Sequence, residues 1–454
     1  MNSSEIMPIS DKEILININN FLCDDSEGDA YSKIISTPMF QPESFTVGDR
    51  ENKPPFLNQS ERNFDVWCDS LIRDQLMRLS ESMAIDFDDI NNIVYSIKRN
   101  VEKVLNYKYA GNQIKNQIWN QEFIDILHNI IIYSLFGNFD QRYSTHRKFK
   151  DLSKAIMPKI IENICSNNHL RLEDYLKLSI ISGISGLDLK GTSAASSLFS
   201  QNGIPMSSYF NLPLKESTKI YCNNLITMLN CTAPIFEWGN FIDLVNNRAK
   251  IVWFTDDYIE TFFDLLFINK LLETYSDAQI TIVPKRIECG NDASYSDVLD
   301  ILRCCKNEFK MICKLLREKQ RVNINRFGPS MGTVNIKKLS NEIIDLIYQS
   351  DVVIFKGCRA HEMVQGGLNK TTFNMYIVAR EFSESVTGYD AREMPILFFH
   401  LPPGGYAFRG FKNRYLREVC INGKKIYLSE TTLKDSYAKF KKNVAGNTCQ
   451  NSAL

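Results

Sequence analysis

The chain has 454 residues, of which 44% are hydrophobic and 23% are charged, a globular composition that excludes global disorder. Its 53 basic side chains balance its 53 acidic ones, so no overall charge draws the protein toward nucleic acid or an anionic membrane. No apolar stretch approaches the roughly 18 residues of a membrane span, and no secretory signal is visible. We therefore expect no nucleic-acid partner and no membrane partner.

The cysteines and histidines argue against a soft metal site. The 12 cysteines include no Cys-x-x-Cys spacing, and the 5 histidines are scattered along the chain. Only Cys304, Cys305 and Cys313 lie close together in the sequence. This pattern predicts reduced thiols in a cytoplasmic protein and neither a thiolate zinc site nor a histidine-rich site.

The first half of the chain has helical periodicity. Apolar residues recur at three- and four-residue spacing in residues 62–82, 88–105, 120–136 and 154–165. Residues 24–60 contain four prolines and predict an irregular loop, either disordered or a lid. We expect residues 1–240 to form a mainly helical N-terminal domain.

From about residue 240 the pattern changes to short apolar runs rich in β-branched and aromatic residues. These runs predict strands at 250–255, 279–284, 351–355 and 395–400, and helical periodicity appears at 258–274, 296–316 and 336–349. Continuous apolar strands alternating with helices indicate a sheet covered on both faces. The predicted fold class is α/β, an α/β/α sandwich with a mostly parallel central sheet over residues 241–454, preceded by the helical domain.

Polar residues follow each predicted strand. Because ligands bind outside the carboxyl ends of parallel strands, we expect these residues to meet at one edge of the sheet. In strand order they are Asp256 and Asp257, then Lys285 and Asp292, then Lys356 and His361, and finally His400.

The predicted helix at 258–274 has acidic residues along one face. Asp256, Glu260 and Asp264 are spaced i, i+4, i+8 on an otherwise apolar helix. A single carboxylate at a helix start is commonly a cap, whereas a buried acid needs a base or a metal. The sequence leaves both interpretations open.

A ligand set of hard oxygen atoms selects ions such as magnesium or manganese. Asp256, Asp257 and Asp292 can supply such oxygens, and the ion would neutralise phosphate oxygens. Lys356 and Lys285 would add positive charge for a phosphoryl group.

Three motifs in register resemble the DUF89 family of metal-dependent damage-control phosphatases, which includes an acidic-residue-methyltransferase-like branch. They are the DDYIE and FDLL segments at 256–260 and 263–266, the NDAS segment at 291–294 with Asp297, and the Lys-Gly pair at 356–357 followed by His361 and Glu362. The resemblance covers roughly residues 245–370.

The resemblance implies roles for individual residues and a helical domain on an α/β/α core. Asp256 and Asp292 match metal ligands, Asp257 occupies the position of a metal-binding Asn, and Lys356 matches the phosphate-binding lysine. A divalent metal ion (manganese, magnesium, cobalt or nickel) is the implied cofactor. Glu260 matches an acid of the family's helix and is also predicted to contact the substrate. Lys285, His361 and Arg380 are predicted from their own chemistry, apart from the resemblance, to contact the reacting phosphate or the substrate.

The chain departs from the family pattern around this site. Asp257 replaces Asn, Tyr258 and Ile259 replace an Ala-Gly pair, and His361 replaces Asn. The leading hypothesis is a divalent-metal-dependent hydrolase, a phosphatase acting on a small phosphorylated metabolite. The alternatives are a specialised biosynthetic enzyme or S-adenosylmethionine-dependent methyltransferase on the same fold, although no glycine-rich cofactor loop is present, and a non-catalytic binding protein.

Overall fold

The structure is a computed structural model that describes Tyr95 and much of the chain after residue 138. The described residues are 139–166, 169–182, 214–229, 233–246, 248–286, 292–329, 334, 336, 339–357, 360, 368, 370–378, 396–401, 416–421 and 424–429. The predicted loop at 24–60 and the predicted helices at 62–82 and 120–136 lie outside them, as does the helix at 88–105 apart from Tyr95.

Helices and strands alternate through most of the described chain. The helices are α1 (Phe139–Cys165), α2 (Leu172–Ile181), α3 (Leu214–Met228), α4 (Trp238–Asn246), α5 (Tyr258–Thr274), α6 (Tyr295–Cys304), α7 (Lys310–Arg317) and α8 (Asn341–Gln349). The strands are β1 (Ile235–Phe236), β2 (Lys250–Phe254), β3 (Gln279–Val283), β4 (Val322–Ile324), β5 (Val352–Lys356), β6 (Thr371–Ile377), β7 (Ile396–Leu401), β8 (Leu416–Ile421) and β9 (Lys424–Ser429).

The central sheet has the strand order β1-β7-β6-β5-β2-β3-β4. The strands from β6 to β4 in this order are all parallel, whereas β7 runs antiparallel to β6 and β1 runs parallel to β7. The carboxyl ends of β2, β3, β4, β5 and β6 therefore share one edge, which we call the carboxyl edge. The predicted mostly parallel α/β sheet is confirmed.

Apolar side chains cover both faces of this sheet. On one face, Trp253 and Ile354 join a core with residues of α1, α2 and α5. On the other, Phe254 and Phe355 stack at 5.2 Å and pack with Ile343 and Ile344 of α8. Helices on both faces complete the α/β/α sandwich.

Helix α5 is the most deeply buried helix among those described. Fourteen of its 17 residues are buried, including the acids Glu260 and Asp264. A helix that is apolar on nearly all sides packs inside a protein rather than on its surface. Because α5 begins where β2 ends, its first turns lie at the carboxyl edge.

The strand at 395–400 was predicted correctly as a strand, but its expected parallel direction was wrong. In β7, His400 pairs with Phe373 near the start of β6, which puts His400 at the edge opposite the carboxyl edge. An apolar run does not encode strand direction, since either direction buries the same side chains. The expectation that His400 joins the other polar strand ends is therefore corrected.

Two further expectations about local structure need correction. The segment 296–316 forms two helices, α6 and α7, because a turn after Cys304 directs both Cys305 and Phe309 into the core. Strand β6, with Thr371, Thr372 and Asn374 among its apolar residues, was missed.

None of the described helices is both long and apolar enough to cross a membrane. The division into domains at residues 240 and 241 stays a prediction.

Candidate metal centre

Two acidic residues of the candidate site, Asp256 and Asp257, follow the end of β2 after one intervening residue. Strand β2 lies between β3 and β5, so its carboxyl end is near the middle of the carboxyl edge. Asp257 is the N-cap of α5 with extended backbone angles (φ −64°, ψ 152°), but its side chain makes no capping hydrogen bond. The capping interpretation therefore does not account for the Asp257 carboxylate.

Backbone hydrogen bonds bring Asp292 to the same place. Residues Asp257 and Asp292 form an antiparallel bridge, and the Ala293 amide donates to the Asp256 carbonyl at 2.8 Å. On the other side, the Lys285 amide donates to the Ala293 carbonyl at 2.9 Å. We call this arrangement of residues 256–257 and 292–293 the clasp. It fixes the backbone of all three acidic residues.

The three carboxylates form a compact cluster at the carboxyl edge, the acidic cluster of Asp256, Asp257 and Asp292. One carboxylate oxygen from each lies within 4.8 Å of the other two. Asp256 is half-buried, whereas Asp257 and Asp292 are buried. Three carboxylates this close repel one another, and their oxygens suit one hard divalent cation. The donor atoms and their charge therefore fit the implied metal ion.

A glycine at the end of β5 makes room for one of these carboxylates. Gly357 has a φ of +89°, and a Cβ atom there would lie 2.0 Å from Oδ2 of Asp256. A side chain would thus be excluded both by the backbone conformation and by the close approach of Asp256. The Lys-Gly pair contributes through its glycine as well as through its lysine.

A second glycine supports the turn that carries Lys285. A Cβ atom on Gly328 would lie 1.7 Å from the Pro284 carbonyl oxygen, and the Arg286 amide donates to the Pro329 carbonyl at 2.9 Å. The backbone after β4 therefore packs against the backbone after β3. This packing supports the turn that carries Lys285. The buried Nζ of Lys285 lies 3.6 Å from Oδ2 of Asp292 and offsets part of its charge.

Behind the acidic cluster lies the core ion-pair network of Lys356, Glu260, Asp264 and Ser179. The Lys356 Nζ lies 3.0 Å from Oε2 of Glu260 and 2.5 Å from Oδ1 of Asp264. The Ser179 hydroxyl of α2 donates to the same Asp264 oxygen at 2.5 Å. Glu260 and Asp264 share one face of α5, as their spacing predicted. These buried acids have a basic partner supplied by the chain itself.

Burial and charge compete in this network. Burial raises the pKa of Glu260 well above its usual range, Lys356 lowers it, and Asp257 and Asp256 raise it further. Burial also raises the pKa of Asp264, against the opposing effects of Lys356 and Ser179. Burial alone would lower the pKa of Lys356, but Asp264 and Glu260 outweigh it, so the pKa is raised. Glu260 thus connects the network electrostatically to the acidic cluster.

The structure brings most of the predicted site residues together at the carboxyl edge or directly behind it. Six of them lie in the acidic cluster, beside it, or in the network behind it: Asp256, Asp257, Asp292, Lys285, Glu260 and Lys356. His361 and Arg380 lie outside the described residues. The individual roles of these residues stay predictions, and Lys356 in particular is engaged by Glu260 and Asp264.

Two contributions were not predicted from the sequence. Ser179 is 177 residues away from Lys356 along the chain, and no local pattern marks it as a partner. Asp297, which follows the NDAS segment, caps α6 through Ser294 and forms a buried ion pair with Lys150 at 2.8 Å. The spacing of Ser294 and Asp297 is a capping-box signature that would have identified the second contribution.

Comparison with known families agrees with this geometry. The family model described as "Damage-control phosphatase ARMT1-like domain" matches residues 88–377, which is more than half of the chain. The chain therefore belongs to the damage-control phosphatase ARMT1-like family, and the resemblance to DUF89 proteins seen in the sequence is confirmed.

Among solved structures, the chain is similar to the crystal structure of a DUF89 family protein from Pyrococcus horikoshii. The two share 18% sequence identity with a TM-score of 0.47, over 70% of this chain and 92% of that chain. No curated protein matches this chain.

Proposed function

We propose that the protein is a divalent-metal-dependent phosphatase that acts on a small phosphorylated metabolite, and that Asp256, Asp257 and Asp292 hold the metal ion. The observation that carries the proposal is the acidic cluster, whose carboxylate oxygens lie within 4.8 Å of one another at the carboxyl edge. Membership of a family of damage-control phosphatases supports the same reaction class.

The charge balance of the site supports a cation. When ionised, the acidic cluster and the core ion-pair network contain five carboxylates, against two ammonium groups from Lys285 and Lys356. Among these described residues, the carboxylates outnumber the ammonium groups by three, or by two if Glu260 is protonated. Buried charge of this size is costly without a counterion. A divalent ion would offset most of the excess.

The metal ion and the chain have separate tasks in this proposal. When bound, the ion would neutralise phosphate oxygens and act as a Lewis acid toward the phosphoryl group. The clasp holds the backbone of the three acidic residues in place, and the ammonium group of Lys285 lies 3.6 Å from Asp292 and offsets part of its charge. Lys356 binds Glu260 and Asp264 behind the cluster. His361 and Arg380 remain proposed contacts for the phosphate or the rest of the substrate.

The extra negative charge of Asp257 has a consequence for the substrate. Where the family has a neutral Asn, this chain adds a carboxylate that strengthens the attraction for a cation and repels a phosphate. We expect phosphate release to require a saturated metal site. Manganese, magnesium, cobalt and nickel are therefore each tested at concentrations well above the measured dissociation constant.

The first experiment measures phosphate release from a panel of sugar and nucleotide phosphates with each metal. We expect metal-dependent release that Asp292→Asn abolishes. The matched control is Asp277→Asn, which removes an aspartate whose side chain is 58% exposed and forms an ion pair with Arg248 at 3.2 Å. This control should retain full activity and metal dependence.

Calorimetric titration of the metal ions separates loss of binding from loss of chemistry. Wild type and Asp277→Asn should bind one divalent ion with the same affinity, and Asp292→Asn should bind it much more weakly. Metal binding without phosphate release from any substrate would overturn the phosphatase proposal. It would favour the methyltransferase or biosynthetic alternatives, which titration with S-adenosylmethionine then tests. Absence of metal binding by folded protein would favour a binding protein.

A further inference from the structure

A pair of adjacent thiols lies at the end of α6, away from the acidic cluster. Cys304 is the last residue of α6 and Cys305 is its C-cap. Their Sγ atoms are 3.7 Å apart and share a hydrogen bond, while the Cys304 Sγ also contacts the Ile301 carbonyl at 3.3 Å. We propose that Cys304 and Cys305 form a reversible redox site, at which a hydroperoxide oxidises the two thiols to a vicinal disulfide.

The environments of the two sulfurs assign different tasks to them. Cys304 is half-buried, whereas Cys305 is fully buried. The hydrogen bond from Cys305 lowers the pKa of Cys304, burial opposes this, and the ammonium of Lys154 lowers it further. The same hydrogen bond, together with burial, raises the pKa of Cys305. Cys304 is therefore the accessible thiolate that reacts first, and Cys305 is the thiol that resolves it.

The reaction proceeds in two balanced steps. The Cys304 thiolate attacks one peroxide oxygen, the O–O bond breaks, and after proton uptake the products are a sulfenic acid and water. The Cys305 thiol then attacks the Cys304 sulfur, an S–S bond forms, and the hydroxyl leaves as a second water. The two cysteines lose two electrons and two protons, and hydrogen peroxide is reduced to two waters.

The spacing of the two residues makes the product easy to reduce. Adjacent Cα atoms across a trans peptide are about 3.8 Å apart, below the roughly 4.4 Å at which ordinary disulfides begin. A bridge in this position is strained, and strained disulfides are the labile ones that common thiols reverse. The pair thus suits a reversible modification and is unsuited to a structural cross-link.

The redox site is separate from the candidate metal centre. Helix α6 begins after Ser294, two residues beyond Asp292, and ends at Cys304. Its 10 residues place the thiol pair about 15 Å along the helix from the acidic cluster. Neither thiol is needed for the proposed phosphatase reaction, so the two proposals fail or succeed independently.

The test treats the folded full-length protein with hydrogen peroxide, blocks remaining thiols and digests with chymotrypsin. Cleavage after Leu302 and Phe309 releases a peptide of residues 303–309 whose only cysteines are Cys304 and Cys305. We expect this peptide without blocking groups and lighter by two hydrogen atoms than the reduced form. Dithiothreitol added before blocking should restore two blocked thiols. The reaction should reach completion before Cys313, whose pKa burial raises, is modified.

Matched variants test the assigned order of the two thiols. Cys305→Ser should accumulate a sulfenic acid at Cys304 that dimedone traps, whereas Cys304→Ser should give no dimedone adduct at Cys305. Cys313→Ser should form the vicinal disulfide like wild type. The proposal would be overturned if Cys304 and Cys305 were both recovered with blocking groups while other cysteines were oxidised. Irreversible sulfinic acid at Cys304, or a cross-link between two chains, would overturn it as well.

Discussion

The acidic cluster and the core ion-pair network lie next to each other and contain the same kinds of side chain, yet they are held in opposite ways. In the network, Lys356 contacts Glu260 at 3.0 Å and Asp264 at 2.5 Å, so both acids have a basic partner within the chain. In the cluster, three carboxylates converge, and Lys285 lies 3.6 Å from one of them, Asp292. The first region contains its own buried cation, and we propose that the second binds a cation from solvent.

Asp264 and Asp256 show how two carboxylates at and near the start of α5 can have different roles. Asp264 is fully buried two turns into α5, where it contacts the buried Lys356 and the Ser179 hydroxyl. Asp256 precedes α5 at the carboxyl edge and is half-buried, so an ion from solvent can reach it. The position of each acid relative to the start of α5 therefore distinguishes a residue that supports the fold, Asp264, from one with a proposed role in metal binding, Asp256.

Replacement of Lys356 should give the largest effect. Lys356→Met leaves Glu260 and Asp264 without their ammonium partner in the core, and we expect a loss of about 3–5 kcal/mol of unfolding free energy. Denaturation with urea measures it. The control Lys154→Met removes a half-exposed pair with Asp300 and should cost no more than about 1 kcal/mol. Equal effects of the two variants would contradict the distinction between the regions.

The stability of wild type relative to Lys356→Met should depend on pH. Because the folded-state pKa of Lys356 is raised, its stabilising contribution is complete below its unfolded pKa of about 10.4 and disappears as pH rises through the folded value. The stability difference between wild type and Lys356→Met should therefore shrink as the pH rises above about 10.

A change at Gly357 should disturb both regions. Gly357→Ala places a methyl group against Asp256 at a φ of +89°, so we expect a loss of about 2–4 kcal/mol together with weaker metal binding. Urea denaturation and metal titration measure the two effects. Gly239→Ala is the control, since a Cβ atom there meets nothing within 4 Å. Unchanged metal affinity in Gly357→Ala would show that Asp256 is not a ligand.

The hydroxyl of Ser179 should matter less. Ser179→Ala removes one hydrogen bond to Asp264 but leaves the contact of Asp264 with Lys356, so we expect a loss of about 1.5 kcal/mol. Thermal unfolding measures this loss, and Ser182→Ala, which removes a bond to a backbone carbonyl instead, is the comparison. A loss as large as that of Lys356→Met would mean that α2, rather than the lysine, holds the network together.

The smallest effect should have the opposite sign. Asp257→Asn removes one of three mutually repelling charges, so without metal we expect a gain on the order of 1 kcal/mol in stability. With manganese at 100 times its dissociation constant, wild type should gain about 2.7 kcal/mol by mass action, and the variant should gain less at the same concentration. A variant that is less stable than wild type in metal-free buffer would contradict repulsion within the cluster.

The sequence predicted the parts of the fold that depend on local pattern. Strands β2, β3 and β5 are continuous apolar runs, as parallel strands buried on both faces require, and the bounds of α5 follow from its periodicity. The convergence of Asp256, Asp257 and Asp292 followed from strand order. The direction of β7 and the existence of β6 did not, because an apolar run fits either direction and β6 mixes Thr and Asn with its apolar residues.

The partners inside the site were less predictable than its location. The sequence marks Lys356 and Asp264 as unusual, but their contact depends on how β5 and α5 pack, and Ser179 comes from a helix far away in the chain. Tertiary packing determines which charge meets which, and it has no local signature. Gly357 is the exception, because a glycine directly after a buried strand indicates a close backbone approach.

The clasp joins two chain segments that are 35 residues apart in sequence, through one bridge and the bond from Ala293 to Asp256. Because Asp257 and Asp292 lie on the two joined segments, their carboxylates stay close to each other only while the segments remain paired. Any motion that separates the two segments pulls Asp292 away from Asp256 and Asp257 at once, so the site is either complete or open. An ion held by all three carboxylates would add a cross-link between the start of α5 and the start of α6, beside the backbone contacts that already join them.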